Sequence, residues 1–321
     1  MMPQRPVPSL SVLPDLHKFS YALFLSALLL LSIWGQAAIA NDDEPASAKQ
    51  WLERMSSALQ KVSYQGVFVY RRNEELATMK VTHVADERGE HELLETLTGE
   101  PRREIRNTGH LRRSRANGES PLADIEQFYA LQVVGLDRAA GRFTRLLKVE
   151  PKDEYRYGYR LWIDQETGLL LRSELLGKEQ KILEQVIFTS LELLSAEQVP
   201  QALLDQTMPT PEAATETGVD GLAWEVEHLP QGFELLDHRI KGDDKEIEHM
   251  VFSDGLASVS VFIESRAVEA DSFLGVSTMG AVNAFGGSQD GFHVTVVGEV
   301  PQVTVMAIGK SIKRREVGAD D

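Results

Sequence analysis

Apolar and polar residues along this chain repeat with different periods in different stretches. Residues 21–34 form a near-continuous apolar run. Trp51, Leu52, Met55, Ala58 and Leu59 then recur at helical spacing. They predict an amphipathic helix that ends near Lys61, with Pro45 suited to a first turn. From Val62 the period drops to two. Stretches rich in β-branched and aromatic residues at 62–70, 78–85, 91–97, 103–107, 128–134, 142–149 and 155–164 predict successive strands. In the last of these, Tyr155, Tyr157, Tyr159, Leu161 and Ile163 are expected to share one face. The turn Asp164-Gln165-Glu166-Thr167-Gly168 returns the chain through 169–176, and Gly177-Lys178 sends it back through 180–191. The expected unit, residues 41–195, is a meander: one helix, then antiparallel strands.

The periodicity stops at residues 196–221, where Pro200, Pro209, Pro211, Gly218 and Gly221 sit among small and acidic residues. That stretch reads as a linker. A second unit is expected over 222–316. Trp224 and Leu229-Pro230-Gln231-Gly232-Phe233 open it, and a hairpin turns at Ser253-Asp254-Gly255. A strand at 292–300 follows, then a helix starting near Pro301 with Val303, Val305, Ile308 and Ile312 as its apolar positions. Trp224, Phe233, Phe252, Val259 and Val261 are the expected core. From Lys313 the pattern fades, and 317–321 is a tail. The fold class is α+β in two domains, which suits a chain of 321 residues.

The apolar run near the start belongs to neither domain. Arg5, His17 and Lys18 precede it, and Ala38-Ile39-Ala40 follows. Basic residues, an apolar stretch too short to span a bilayer and an A-x-A site predict a secretory signal peptide over residues 1–40, cleaved before Asn41, with an uncleaved N-terminal anchor as the alternative. Cleavage removes Arg5, Asp15 and Lys18, a net +1, and takes the formal charge from −16 to −17. The exported chain is expected in a periplasm. Its acidity excludes a general nucleic-acid binder, since a phosphate backbone is held by clustered cations. With no cysteine, disulfides, thiolate metal sites and cysteine nucleophiles are excluded too.

A search for catalytic chemistry finds no constellation and no cofactor fingerprint. His83 and His91 flank a turn with Asp86, Glu87 and Glu90, but without metal-ligand spacing. Asp243, Asp244, Glu246, Glu248 and His249 lack EF-hand spacing. Gly275-Val276-Ser277-Thr278-Met279-Gly280 puts its second glycine one residue late for a nucleophile elbow. Two features suit a binding protein instead. A curved sheet under a helix encloses an apolar space, and Tyr64, Phe68, Tyr70, Trp162 and Phe188 are candidates to line an acyl-chain cavity, with ordinary core packing as the alternative. Arg102, Arg103, Arg106, Arg112, Arg113 and Arg115 form a local basic patch for an anionic lipid or an acidic partner, with a solvated hairpin as the alternative.

Seven stretches in order carry a family resemblance: Tyr64-Gln65-Gly66-Val67-Phe68-Val69-Tyr70, Gly99-Glu100-Pro101-Arg102-Arg103-Glu104, Tyr155-Arg156-Tyr157-Gly158-Tyr159, 164–172, Leu222-Ala223-Trp224 with Leu229-Pro230-Gln231-Gly232-Phe233, 253–262 and 294–301. On these the chain resembles the RseB/MucB family of sigma-E regulatory proteins along nearly all its mature length. The resemblance implies a half-open N-terminal β-barrel like the carriers LolA and LolB, and a smaller C-terminal domain. It also implies a periplasmic negative regulator that binds the periplasmic segment of an RseA/MucA-like anti-sigma factor. Bound there, it would shield that segment from a site-1 protease of the HtrA type until lipopolysaccharide or another anionic lipid releases it. The chain departs from the family by being shorter between Asn107 and Ile125, where the arginines lie. A carrier or chaperone of lipid-linked cargo stays open as the second reading, and so does a homo-oligomer.

The division into two units has a direct check. Limited proteolysis is expected to cut first between Ala196 and Gly221, where no periodic apolar face is available to bury. First cuts within 155–191 would overturn it.

Overall fold

The computed structural model describes residues 46–86, 89–107, 122–195, 197–200, 203, 223–241, 247–267 and 273–315. The expected signal peptide 1–40, most of the expected linker 196–221 and the expected tail 317–321 lie outside them. Helix α1 spans Ala48–Lys61 and starts on a capping box, in which the Gln50 amide donates to Ser47 Oγ at 3.2 Å and the Ser47 amide to Gln50 Oε1 at 2.6 Å. Nine strands follow: β1 Tyr64–Arg72, β2 Glu75–Asp86, β3 Gly89–Thr96, β4 Arg103–Asn107, β5 Tyr129–Ala139, β6 Arg142–Pro151, β7 Gly158–Asp164, β8 Leu170–Leu176 and β9 Ile182–Leu193. A one-turn helix, α2 (Ile125–Phe128), leads into β5.

The sheet is not a simple meander. Its order is β4-β3-β2-β1-β9-β8-β7-β6-β5, so β1 pairs with both β2 and β9 and the chain crosses from one edge to the other between β4 and β5. Strands β4 and β5 do not pair, which leaves a half-open barrel. Helix α1 lies across its concave face. Trp51, Leu52 and Met55 pack with Tyr129, Leu147, Val149, Leu161 and Ile163, while Ala58 and Leu59 reach Tyr64, Phe68, Val81 and Phe188. Polar ties fix the helix: Arg54 Nη2 donates to the Gln165 and Glu166 carbonyls at 2.7 and 2.8 Å, and the buried His83 ring donates Nε2–H to the Leu59 carbonyl at 2.8 Å. Strand β7 begins at Gly158, so Tyr155 and Tyr157 stand before it, and of the expected face only Tyr159, Leu161 and Ile163 belong to the strand.

The second domain holds a six-stranded antiparallel sheet of order β11-β12-β13-β16-β15-β14, formed by Glu234–Lys241, Ile247–Ser253, Ser258–Ala267, Phe292–Gly298, Val282–Gln289 and Gly275–Met279 respectively. Helix α3 (Gln302–Lys310) packs on it. Ile312 is not a helical position. Ile312–Arg314 forms a short strand, β17, which pairs with β10 (Trp224–Val226), so the chain stays ordered past Lys313. The near-elbow at Gly275–Met279 is strand β14, whose hairpin with β15 turns at Gly280 and Ala281.

The domains meet through a buried ionic junction. Arg156 Nε donates to Asp254 Oδ2 at 2.7 Å with both side chains out of contact with water. The guanidinium also donates to Asp153 and to the Gln231 carbonyl, and it lies over the rings of Phe128, Tyr129 and Phe233 at 4.8, 5.7 and 5.1 Å. Tyr129 Oη donates to the same Asp254 oxygen at 2.9 Å, and Asp254 Oδ1 accepts the amides of Leu256 and Ala257. Leu256 itself packs in the first domain's core.

Two substitutions test this account. Trp224 is buried and packs edge-on against Phe292, with centroids 5.1 Å apart. Trp224→Ala is expected to cost about 3–5 kcal/mol in denaturant unfolding. Arg156→Ala leaves the Asp254 carboxylate buried without its counter-ion and is expected to cost about 3–5 kcal/mol. A loss below ~1 kcal/mol for Arg156→Ala would show that the junction is solvated.

Candidate functional site

Three of the five candidate cavity residues come together on the concave face. Alternation along β1 points Tyr64, Phe68 and Tyr70 toward the helix. Phe68 and Phe188 meet with centroids 5.4 Å apart, Tyr64 meets Phe188 edge-on at 6.2 Å, and Tyr64 stacks on His83 at 5.0 Å. Gly66 makes this possible: a Cβ there would stand 2.7 Å from the Phe188 ring, so only glycine lets the ring lie down on β1. Leu59, Val81, Leu170 and Val186 complete the apolar wall, and Glu92, Arg172 and Ser173 supply its polar part. The enclosed space is about 40 Å³, room for little more than one or two waters rather than an acyl chain. Burial, followed by the charges of Glu92 and Glu90, raises the Tyr64 hydroxyl far above the ordinary phenol range.

The other two candidates lie elsewhere. Tyr70 points the same way but is further along the strand, and its hydroxyl donates to Glu184 at the domain junction. Trp162 is on the opposite face, because its neighbours Leu161 and Ile163 both point at the helix. There its indole donates to Asp137 Oδ2 at 2.7 Å, and the Arg172 guanidinium covers the ring at 4.1 Å. The indole bond and the Arg138 amide hold the Asp137 carboxyl below its usual range.

Of the arginine cluster, Arg102 and Arg103 are exposed where β4 begins, with Arg103 Nε 3.9 Å from Glu95. Arg106 belongs to β4, where its backbone stands opposite Glu92 of β3. Arg112, Arg113 and Arg115 lie outside the described residues. Trp224, Phe233, Phe252, Val259 and Val261 are all buried in the second domain's core. The His83 and His91 pair holds no metal-like arrangement. His83 is committed to Leu59, His91 lies 3.5 Å from Asp86, and among the described residues no three His, Cys, Asp or Glu side chains could hold an ion together.

Sequence reasoning missed the junction and the cleft beside it. This cleft, about 1100 Å³, opens between the β8–β9 turn with Leu176, Lys178 and Lys181 and helix α3 with Gln302, Met306 and Lys310. The available signal was Arg156 amid Tyr155, Tyr157 and Tyr159, since an arginine in an aromatic run is suited to ring stacking and buried pairing. Among the described residues no helix is long and apolar enough to cross a membrane.

Comparison with known proteins follows the same two-part division. The MucB/RseB N-terminal domain model matches residues 47–120 and 108–210, and the MucB/RseB C-terminal domain model matches 219–313. The overlap of the first two matches falls on the arginine-rich stretch. MucB of Pseudomonas aeruginosa, a sigma factor AlgU regulatory protein, is 32% identical over 305 residues, covering 88% of this chain and 96% of the relative. The sigma-E factor regulatory protein RseB of Haemophilus influenzae is 29% identical over 317 residues, covering 91% of this chain and 97% of the relative. Among solved structures, the Pseudomonas aeruginosa MucA/MucB complex superposes with a TM-score of 0.62 at 30% identity, covering 84% of this chain and 99% of the matched one. MucB in complex with periplasmic MucA gives 0.63 at 30% identity, covering 84% of this chain and all of the matched one. With both domain models matched in order and a relative above 30% identity aligned over most of both chains, this chain belongs to the MucB/RseB family.

Proposed function

We propose that this chain is a periplasmic negative regulator of an envelope-stress, sigma-E type response. It binds the periplasmic segment of an RseA/MucA-like membrane anti-sigma factor, shields it from site-1 proteolysis and lets go when an anionic lipid arrives. It acts by binding, without catalysis. The observation that carries this reading is the match to MucB over 88% of this chain, a relative whose structure has been solved with periplasmic MucA bound. The second domain favours it over a simple lipid carrier, because a carrier has no use for a second sheet fixed by a buried ionic junction.

The small size of this cavity bears on the release step. A space of about 40 Å³ admits no tail until Phe188, Phe68 or helix α1 gives way. Lipid binding is then coupled to a change of shape, and a ligand that prefers one shape shifts the balance between them. Each CH₂ buried returns roughly 0.8 kcal/mol, so half a tail offsets several kcal/mol of rearrangement or partner affinity. A phosphorylated head group needs cations close by, and the run from Arg102 to Arg115 is the densest supply in an acidic chain.

Competition measures this. A labelled anti-sigma peptide bound to the protein is expected to be displaced by phosphorylated lipid more readily than by a neutral analogue. Replacing Arg112, Arg113 and Arg115 together with Gln is expected to weaken that displacement, as is added salt, with little change in peptide affinity when lipid is absent. Equal displacement by both lipids removes the arginines from the account. No displacement by any lipid removes the release step, and no peptide binding removes the reading altogether.

A further inference from the structure

The junction has a second polar centre, beyond the Arg156 pair. Glu184 on β9 is fully buried. Its Oε1 accepts the Ala281 amide from the second domain at 3.1 Å, and its Oε2 accepts the Tyr70 hydroxyl. The β14–β15 turn sits directly on it. Gly280 has φ +64°, and a Cβ there would come within 2.6–2.8 Å of the Arg72 side chain and Glu184 Oε1. From the second domain comes Glu299, the residue after β16, 2% exposed, with its Oε1 buried and lacking a hydrogen-bond partner.

The surroundings fix how these two carboxyls share charge. Tyr70 and Arg72 face them from β1, Tyr157 from the segment before β7 and Tyr159 from β7 itself. The β14–β15 hairpin contributes Gly280, Ala281 and Asn283, none of which titrates, and Asn283 donates to Tyr157 Oη at 3.0 Å and to the Val300 carbonyl. Asp254, which also acts on Tyr159, is held by Arg156 at the other centre. Arg72 is thus the one cation facing this pair among these groups, and it also pairs with Glu75 at 2.9 Å. Glu184 receives donated hydrogens and suits the charged form. Glu299 has no such donor and suits the neutral one.

We propose that the domain junction is a proton-operated clamp, in which Glu184 and Glu299, one from each domain, share a buried site that stays closed while Glu299 keeps its proton. Burial raises both carboxyls above their usual range, and the Glu184 charge raises Glu299 further. With the domains apart, both groups return toward ordinary carboxylate behaviour, so the closed junction binds the extra proton. Its contribution to closure is complete below the ordinary carboxylate range and disappears as pH rises through the raised value of Glu299. Within that window the closed-to-open ratio falls by up to about tenfold per pH unit for each proton released. The proposal is independent of the anti-sigma and lipid reading.

Because the chain has no cysteine, dyes can be placed singly. Leu97→Cys in the first domain and Leu274→Cys in the second use two exposed side chains. Energy transfer in the exported chain is expected to fall as pH is raised above the ordinary carboxylate range. In Glu299→Gln it is expected to stay at the acid value throughout. A flat wild-type profile, or an unchanged fall in Glu299→Gln, overturns the clamp. If Glu299→Gln does not fold, Glu184→Gln serves: it removes the neighbouring charge and is expected to shrink the fall, and an undiminished fall overturns the proposal. Restored transfer at high pH on adding Ca²⁺, lost in the same variants, would also overturn it, in favour of a cation site.

Discussion

The placement of the two domains depends on a buried pair, Arg156 with Asp254. A guanidinium stripped of water is tolerated only where its donors are met, and here they reach Asp254, Asp153 and the Gln231 carbonyl while three rings cover its faces. Each partner is anchored separately. Arg156 stands just before β7, and Asp254 is clasped by the amides of its own turn. In the closed junction the pair, together with the Glu184–Ala281 contact, sets the angle at which the two sheets meet. With that angle fixed, Leu256 enters the first domain's core and the cleft beside α3 has a definite width.

Helix α1 stands in a similar relation to the open sheet. It bridges two groups of residues on the concave face, one around Tyr129 and Leu147 and the other around Phe68 and Phe188. Its residues fill the space that a ligand would need. The same helix thus completes the core and stoppers the cavity, and any occupant competes with the protein's own apolar packing.

Much of the fold was legible in the sequence. The strands of the first domain were expected from the sequence, most plainly β1 and β9, where alternation marks one face packed under the helix and the other nearer solvent. The closing of β1 on β9 was not legible, since alternation marks a strand without naming its neighbour. In the second domain β12, β13 and β16 stood out through runs such as Val259–Val261, whereas β11 is interrupted by charges, β14 and β15 carry Gly275, Gly286 and Gly287, and β10 with β17 is too short for any period. Trp162 was placed on the wrong face because aromatic character was weighed above its parity with Leu161 and Ile163. The junction stayed hidden for a plainer reason: Arg156 and Asp254 belong to different units, and a residue's type does not reveal a partner 98 positions away.

The pairing of β1 with β9 also shapes how the chain reaches its fold. A ribosome or a secretion channel delivers β1 to β4 long before β9 exists, and in that interval β1 offers an unsatisfied edge beside Phe68 and Tyr70. Contacts of such sequence separation form slowly, and an open apolar edge invites association with any other strand nearby. The seam that finally makes the half-barrel is the last one available. Until Phe188 lands on Gly66, that apolar edge stays open.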